Sequence, residues 1–363
     1  MVYNHAILWG FFLFTYAVNF VKIFLEKFSA NFNLDNLHLM TNSIPPIKPQ
    51  MVGRSRSANE KRFDIGFISF TRLLAWSIAF LLLFIFGTVA WRALPAMQEF
   101  GLGFLVNSAW NPVANNGKGD YGALPMIYGT LASSGIALLI AVPLGVSTAI
   151  FLSENFIPSK IRTVLTFMVE LLAAIPSVVY GLWGLFVLIP FLRPISTFIY
   201  QQLKWIPIFG TSPIGPGLFP AGVILSIMIL PIITAIARDS LANLPPELRQ
   251  ASMGLGGTRW ETIVRVLVPA AFSGIVGGIM LGLGRAMGET IAATMLIGNS
   301  NRISVSIFAP SNTIASLMAN QFPEASGLQV AALMYAGVVL FVLTLIVNVI
   351  AQWIVSQVQA KYQ

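Results

Sequence analysis

The sequence predicts an all-α polytopic membrane protein, and three observations carry that prediction. Of 363 residues, 56% are hydrophobic and only 9% are charged, against about 25% charged in an ordinary soluble domain. Six apolar runs reach the roughly 20 residues that cross a bilayer as a helix. Lys and Arg gather near the ends of these runs and in the connections, where they set orientation in a membrane. The formal net charge of +8, distributed in this way, answers to topology and anionic headgroups rather than to nucleic acid. The sequence contains no RNA- or DNA-binding module.

The chain opens on an apolar stretch, residues 6 to 25. It reads as an extra N-terminal helix that adds a seventh span, or as the product of a start upstream of the true one, with Met40 and Met51 as later starts. A signal peptide fits poorly, because no basic residue precedes the run and nothing resembling Ala-x-Ala closely follows it. Residues 1 to 40 are therefore an extension, dispensable to the mechanism. Residues 41 to 62, "TNSIPPIKPQMVGRSRSANEKR", are polar, basic and proline-containing, the composition of a flexible cytoplasmic tail. The transmembrane domain is expected over 63 to 363, with spans at about 73 to 91, 127 to 151, 164 to 189, 218 to 237, 270 to 297 and 329 to 354.

Basic residues orient these spans. Lys48, Arg54, Arg56, Lys61, Arg62 and Arg72 precede the first, and Arg238, Arg249, Arg259 and Arg265 occupy the connection after the fourth. Both segments read as cytoplasmic, and the four spans between them agree in parity. The connections 92 to 126, 190 to 217 and 299 to 328 then face outward. In the second of these, "WIPIFGTSPIGPGLFP" is dense in Pro and Gly, which predicts a rigid non-helical loop.

The connection of about 239 to 268, within "RDSLANLPPELRQASMGLGGTRWETIVRVLVP", is too long for a simple turn. Its pattern predicts two short helices broken at Gly254, Gly256 and Gly257. One reading is an amphipathic surface loop. The other is a docking element that carries a soluble partner's movement into the spans.

Two charges stand where the fifth span should cross, Arg285 and Glu289 in "GRAMGETIAATMLIGN". Four residues apart on a continuous helix, they would share a face and could pair, which lowers the cost of placing either in hydrocarbon. They could serve only as a packing pair. Alternatively they line a path, with Arg285 meeting an anion through its planar donor fork and Glu289 limiting the arginine's grip. Glu170 reads either as a residue near the cytoplasmic end of the third span or as a path residue. Pro176 opens the backbone after it, where Ser177 or Tyr180 could supply polar groups. The glycines at 274, 277, 278, 282, 284 and 288 predict close helix packing.

"RQASMGLGGTRWETIVRVLVP" resembles the coupling loop of ABC importer permeases, whose pattern is Glu-Ala-Ala, three residues, Gly, nine residues and Ile-x-Leu-Pro. Gln250, Ala251 and Ser252 stand for the Glu-Ala-Ala, Gly256 for the Gly, and Val266, Val268 and Pro269 for the Ile, Leu and Pro. Gln250 replaces the usual acid. "YGALPMIYGTLASS", "ELLAAIPSVVYGLWGLF" and "GLGRAMGETIAATMLIGN" are similar to phosphate-importer permeases of the PstC type, over about residues 64 to 356. The resemblance implies a six-helix type I importer domain in the bacterial inner membrane, with Arg285 and Glu289 on the phosphate path. It also implies a complex with a second permease of the PstA type, two copies of an ATPase and an extracytoplasmic phosphate-binding protein.

Other function classes lack their residues. There is no Cys, and the two histidines, His5 and His38, lie in the N-terminal extension. Thiol catalysis, histidine metal sites and Ser-His-Asp chemistry have no candidates in the body of the chain. No metal or cofactor is expected, and an intramembrane hydrolase finds no Gly-x-Ser-x-Gly motif. The chain has no phosphate-binding loop of the Gly-x4-Gly-Lys-[Ser/Thr] type, so it is expected to be a permease rather than an enzyme, with ATP split by a partner. A permease for another oxyanion, or an ATP-independent anion transporter or channel, is the competing class. Uptake by this chain alone in proteoliposomes would reveal it. A chain begun at Met51 is expected to insert and support uptake. Complete loss of membrane insertion in that variant would show residues 6 to 25 to be a required span.

Overall fold

A computed structural model of the chain describes residues 58–113, 119–154 and 156–362. Residues 6 to 25 and the tail up to residue 57 lie outside the described residues. Helix α1 (Ala58–Phe100) already includes the last five residues of the stretch read as a tail. It belongs, up to Thr88, to a separate unit from Val89–Gln363. The packing described below is that of the second unit.

After α1 come α2 (Gly103–Val106) and a two-stranded antiparallel pair, β1 (Trp110–Asn111) with β2 (Asp120–Tyr121). Then follow α3 (Leu124–Ser153), α4 (Ser159–Ala174), α5 (Ser177–Leu203) and α6 (Leu218–Ala242). The short α7 (Pro246–Gly254) precedes α8 (Arg259–Ala270), which bends by 69° into α9 (Phe272–Gly288). The chain closes with α10 (Ile291–Leu296), α11 (Ile314–Gln321) and α12 (Leu328–Tyr362). Among the described residues, five helices are long and apolar enough to cross a membrane, and six if the bent pair counts as one span.

Helices stand at all six expected positions, but the expected runs 164 to 189 and 270 to 297 have a different form. The run 164 to 189 is two helices, because α4 ends at Ala174 and the backbone is extended at Ile175 and Pro176 before α5 begins. Pro176 cannot donate a backbone hydrogen bond and disfavours helix at the residue before it. The run 270 to 297 likewise breaks at Glu289, where the backbone is extended. The connection 190 to 217 is also less open than expected: α5 continues through it to Leu203, and the irregular backbone starts only there. Helix α6 runs on to Ala242, which delays the start of the following connection.

Two turns of wider, π geometry within the helices each precede a proline. A π turn over Gly184–Leu188 sits just before Pro190, and another over Ile263–Leu267 just before Pro269. In each, the residue ahead of the proline donates to a carbonyl five residues back, Ile189 to Gly184 and Val268 to Ile263. The widened turn makes room for a ring that would otherwise strike the carbonyl four residues earlier.

Helix α6 is the axis of the bundle, with Ile224, Leu225, Met228, Ile229 and Ile233 all buried. Helix α3 packs along it, and the Thr234 hydroxyl donates to the Gly145 carbonyl at 3.2 Å. Helix α9 also packs on it, through Gly274, Gly278 and Gly282, which face Ser240, Ile236 and Ile233. This is the small-residue packing that membrane helices use. Gly277 and Gly288 point to open space and take no part in it. The outward shell is apolar: Leu139, Phe186, Phe191, Phe198 and Trp353 are all exposed. Such a shell suits lipid and would be an aggregation surface in water.

The connections segregate to two ends, as the alternation of spans requires. At one end Glu154 approaches α7 and Phe156 approaches α8, with Arg259 over the Phe156 ring. At the other, residues 298–313 form an irregular segment without helix or strand. Its carbonyls at Ile307 and Ala309 accept from Phe219 and Leu218, the first N–H groups of α6. Its Ser304 carbonyl accepts from the Tyr128 hydroxyl at 2.7 Å, and Thr130 Oγ1 accepts from Ile314 N. The segment lies so close to α3 that a Cβ at Gly129 would stand 2.0 Å from the Asn312 carbonyl oxygen.

That contact is testable. Gly129→Ala should destabilise the solubilised protein by about 1–3 kcal/mol through overpacking against backbone. Gly277→Ala, facing open space in a helix, should be neutral or slightly stabilising. Thermal unfolding of the two variants side by side checks both, and equal melting temperatures would contradict the packing described.

Candidate functional site: the broken spans and the helical connection

The sequence places Arg285 and Glu289 on one helix face, and the structure corrects this. Helix α9 ends at Gly288 and Glu289 is extended, so the four-residue spacing no longer implies a shared face. Arg285 lies in the last turn of α9. Its side chain is half-buried, with Nε fully covered. Glu289 turns toward the next helix, where its Oε1 accepts from Ala292 N at 3.3 Å. A carboxylate at that point satisfies an N–H that has no partner within the helix and complements the positive end of the helix dipole.

The break of the third span lies against the break of the fifth. Tyr180, one turn into α5, is within Coulombic reach of the Arg285 guanidinium. Its hydroxyl donates back across the break to the Leu172 carbonyl of α4 at 2.8 Å. The same carbonyl otherwise accepts only the long 3.4 Å bond from Ile175 N, so the hydroxyl strengthens the end of α4. Further along, Gly181 and Gly184 bring α5 against Ala292, Met295 and Leu296 of α10. Helices α5 and α10 therefore run side by side from neighbouring starts, near the last turn of α9. Of the residues named from sequence, Arg285, Glu289 and Tyr180 converge here. Glu170 does not: it sits on α4, half-exposed, and pairs with Arg238 at 3.4 Å.

The connection after α6 forms the expected pair of short helices. Its turn is a Schellman arrangement: Gly257 N donates to the Ser252 carbonyl and Gly256 N to that of Met253, both at 3.0 Å. Gly256 has φ +86°, a conformation that costs any residue with a Cβ. Thr258 then starts α8 with a capping box, its side chain and that of Glu261 each accepting from the other's backbone N–H. Gln250 and Ala251 are exposed on α7, together with Met253 and Leu255. Ser252 instead turns inward and shares a 2.8 Å hydrogen bond with Thr262, which ties the two helices together. Pro269 stands just beyond the wide turn of α8.

Sequence reasoning missed Glu154 as a member of this region. Arg249 on α7 pairs with it at 2.8 Å, both largely buried. Nothing in the local sequence marks the partnership, because the two residues are 95 apart. It also missed the break at Glu289, although Gly288 as a terminator and Thr290 as a helix start give a readable signal.

Comparison with known proteins agrees with this architecture. Residues 141–360 match the family model described as "Binding-protein-dependent transport system inner membrane component". The "Phosphate transport system permease protein PstC" of Mesorhizobium japonicum is 44% identical over 326 residues, covering 85% of this chain and 96% of that protein. The protein of the same name from Haemophilus influenzae is 41% identical over 315 residues, covering 85% and 98%. The "Probable phosphate transport system permease protein PstC" of Methanocaldococcus jannaschii is 37% identical over 274 residues, covering 74% and 86%. A match over most of the membrane domain, on a bundle whose fourth and fifth spans are joined by a helical connection, places the chain: it belongs to the binding-protein-dependent transport system inner membrane components and, within them, to the PstC-type permeases.

Proposed function

We propose that the chain is the membrane-spanning permease subunit of an ATP-driven phosphate importer in the plasma membrane, the inner membrane of a bacterial cell. With a second permease of the PstA type it forms the path for inorganic phosphate. ATPase subunits on the cytoplasmic side drive the cycle, and an extracytoplasmic phosphate-binding protein delivers the anion. The names of its relatives support this reading. The observation that carries it is the meeting of Arg285 with two interrupted spans inside an apolar bundle.

The chemistry of that meeting suits an oxyanion. Arg285 offers a planar fork of donors. The start of the 27-residue α5 adds N–H groups and the positive end of a helix dipole, the device by which discontinuous membrane helices hold anionic groups. Glu289 opposes tight retention. Its carboxylate already serves the start of α10 and competes with an arriving anion for positive charge. A path must bind well enough to admit its ion and weakly enough to release it.

Gln250, Ala251, Ser252, Gly256 and Pro269 belong, on this reading, to the coupling element. The exposed face of α7 and the Leu255 tip dock on the ATPase, while the Ser252–Thr262 bond and the wide turn before Pro269 relay the movement into α9. Helix α9 ends in the turn that carries Arg285, so the docking element and the path are joined by one continuous stretch of chain.

Two outcomes test the proposal. Arg285→Gln should abolish phosphate uptake at normal membrane levels, and Arg285→Lys should retain part of it, since charge survives without the fork. The double variant Arg285→Gln with Glu289→Gln leaves no unpaired charge, yet should remain inactive. Near-normal uptake by the double variant, in cells lacking other phosphate importers, would reduce the two residues to a structural pair. Separately, Gly256→Pro forces φ to about −65° where the turn needs a positive value. It should leave the assembled transporter hydrolysing ATP without matching uptake, and normal uptake would remove α7 from the coupling role.

A further inference from the structure

Arg249 faces away from the exposed side of α7 and reaches into the membrane domain. Its Nε and Nη2 donate to Glu154 Oε1 at 3.1 and 2.8 Å. Nη2 also donates to the Leu241 carbonyl at 3.0 Å, and Nη1 to the Leu244 carbonyl at 3.4 Å. The arginine side chain is 22% exposed and the glutamate 12%, so most of this bonding is withdrawn from water. A paired charge in that setting is costly to break.

The acceptors come from different elements. Glu154 is the residue that ends α3. Leu241 lies in the last turn of α6, and Leu244 in the link to α7. Backbone carbonyls at a helix C-terminus lack intrahelical donors and carry partial negative charge. A planar guanidinium can address a carboxylate and two such carbonyls together, which an ammonium cannot do with fixed directions. Beneath the bonds lies an apolar cluster of Ala149 from α3, Leu241 from α6, Ile263 and Leu267 from α8, and Ile275 from α9, with Leu248 of α7 packed against it. Helices α3 and α6 are already joined higher up by the Thr234–Gly145 bond.

We propose that Arg249 is a positioning residue for transport, a strut that makes α7, α3 and α6 move as one body. The proposal rests on the reading of α7 as the docking helix. Apart from the chain itself, α7 is tied to the bundle by Leu248 and by the Ser252–Thr262 bond to α8. Arg249 adds directed, charged bonds from α7 to the end of α3 and to the last turn of α6. Displacement of α7 then reaches the path by two routes, through α8 into α9 and through the strut into α3 and α6.

The test uses the complete transporter in proteoliposomes, with ATP hydrolysis and phosphate uptake measured on the same sample. Arg249→Gln should keep hydrolysis near the unaltered level, while phosphate moved per ATP falls about fivefold or more, the low end of ordinary coupling energies. Arg249→Lys should recover part of the ratio. Glu154→Gln, which keeps an acceptor oxygen but loses the charge, should fall between the Lys variant and the unaltered protein. An unchanged ratio in Arg249→Gln overturns the proposal, as does an equal fall in both activities. If the Gln variant fails to assemble, the Lys and Glu154→Gln variants decide, and an unchanged ratio in both overturns it. Gly256→Pro in the same assay separates the two claims. If it uncouples while the Arg249 variants do not, the strut is wrong and the docking reading stands. If it too keeps the ratio, the docking reading falls and the strut with it.

Discussion

Backbone N–H and C=O groups cannot be left open in hydrocarbon, and this protein interrupts its spans in just that setting. Each interruption leaves orphan donors or acceptors that the chain must meet from elsewhere. The Tyr180 hydroxyl answers for the end of α4, and the Glu289 carboxylate for the start of α10. At the ends of the unbroken α6 the same need is met by carbonyls of the 298–313 segment at its start and by Arg249, which donates to the Leu241 carbonyl of its last turn. The residues that close these accounts are also the ones that bring distant segments together. Completing the backbone's hydrogen bonds and assembling the site are therefore one process.

The number of spans, their order and the existence of a helical connection after the fourth were legible because each depends on local signals. Apolar run length gives the spans, and the glycines with Thr258 and Glu261 give the turn and the new helix start. The interruptions were only partly legible. Pro176 announced the first through its steric demand on Ile175. The second, at Glu289, carries no proline, and the apolar run continues past it, so hydropathy joins what the backbone separates. The spacing of Arg285 and Glu289 misled for the same reason: a periodicity rule holds only while the helix does. Glu154 and Arg249 were invisible as a pair, since a single sequence contains no information on which of many charges across 95 residues will meet.

Charge is distributed by depth and purpose. Near the ends of the bundle, pairs such as Arg238 with Glu170 remain partly in water, where an ion pair contributes little. The Arg249–Glu154 pair is more enclosed, and its worth lies in direction rather than in net stability, because desolvation offsets much of the Coulomb attraction. Arg285 is held at the last turn of a helix, beside starts of two others. An arginine within a membrane span is costly for the fold.

The wide turn before Pro269 has a consequence for how force can travel. A π turn holds one residue more than the α-register needs, and in principle such a turn could close, rotating everything beyond it by about 100°. Pro269 blocks the closure, because its ring occupies the space that the tighter register would give to the Arg265 carbonyl. Helix α8 is therefore an elbow locked at fixed length and fixed twist. A push at one end emerges as displacement at the other instead of being absorbed as internal winding.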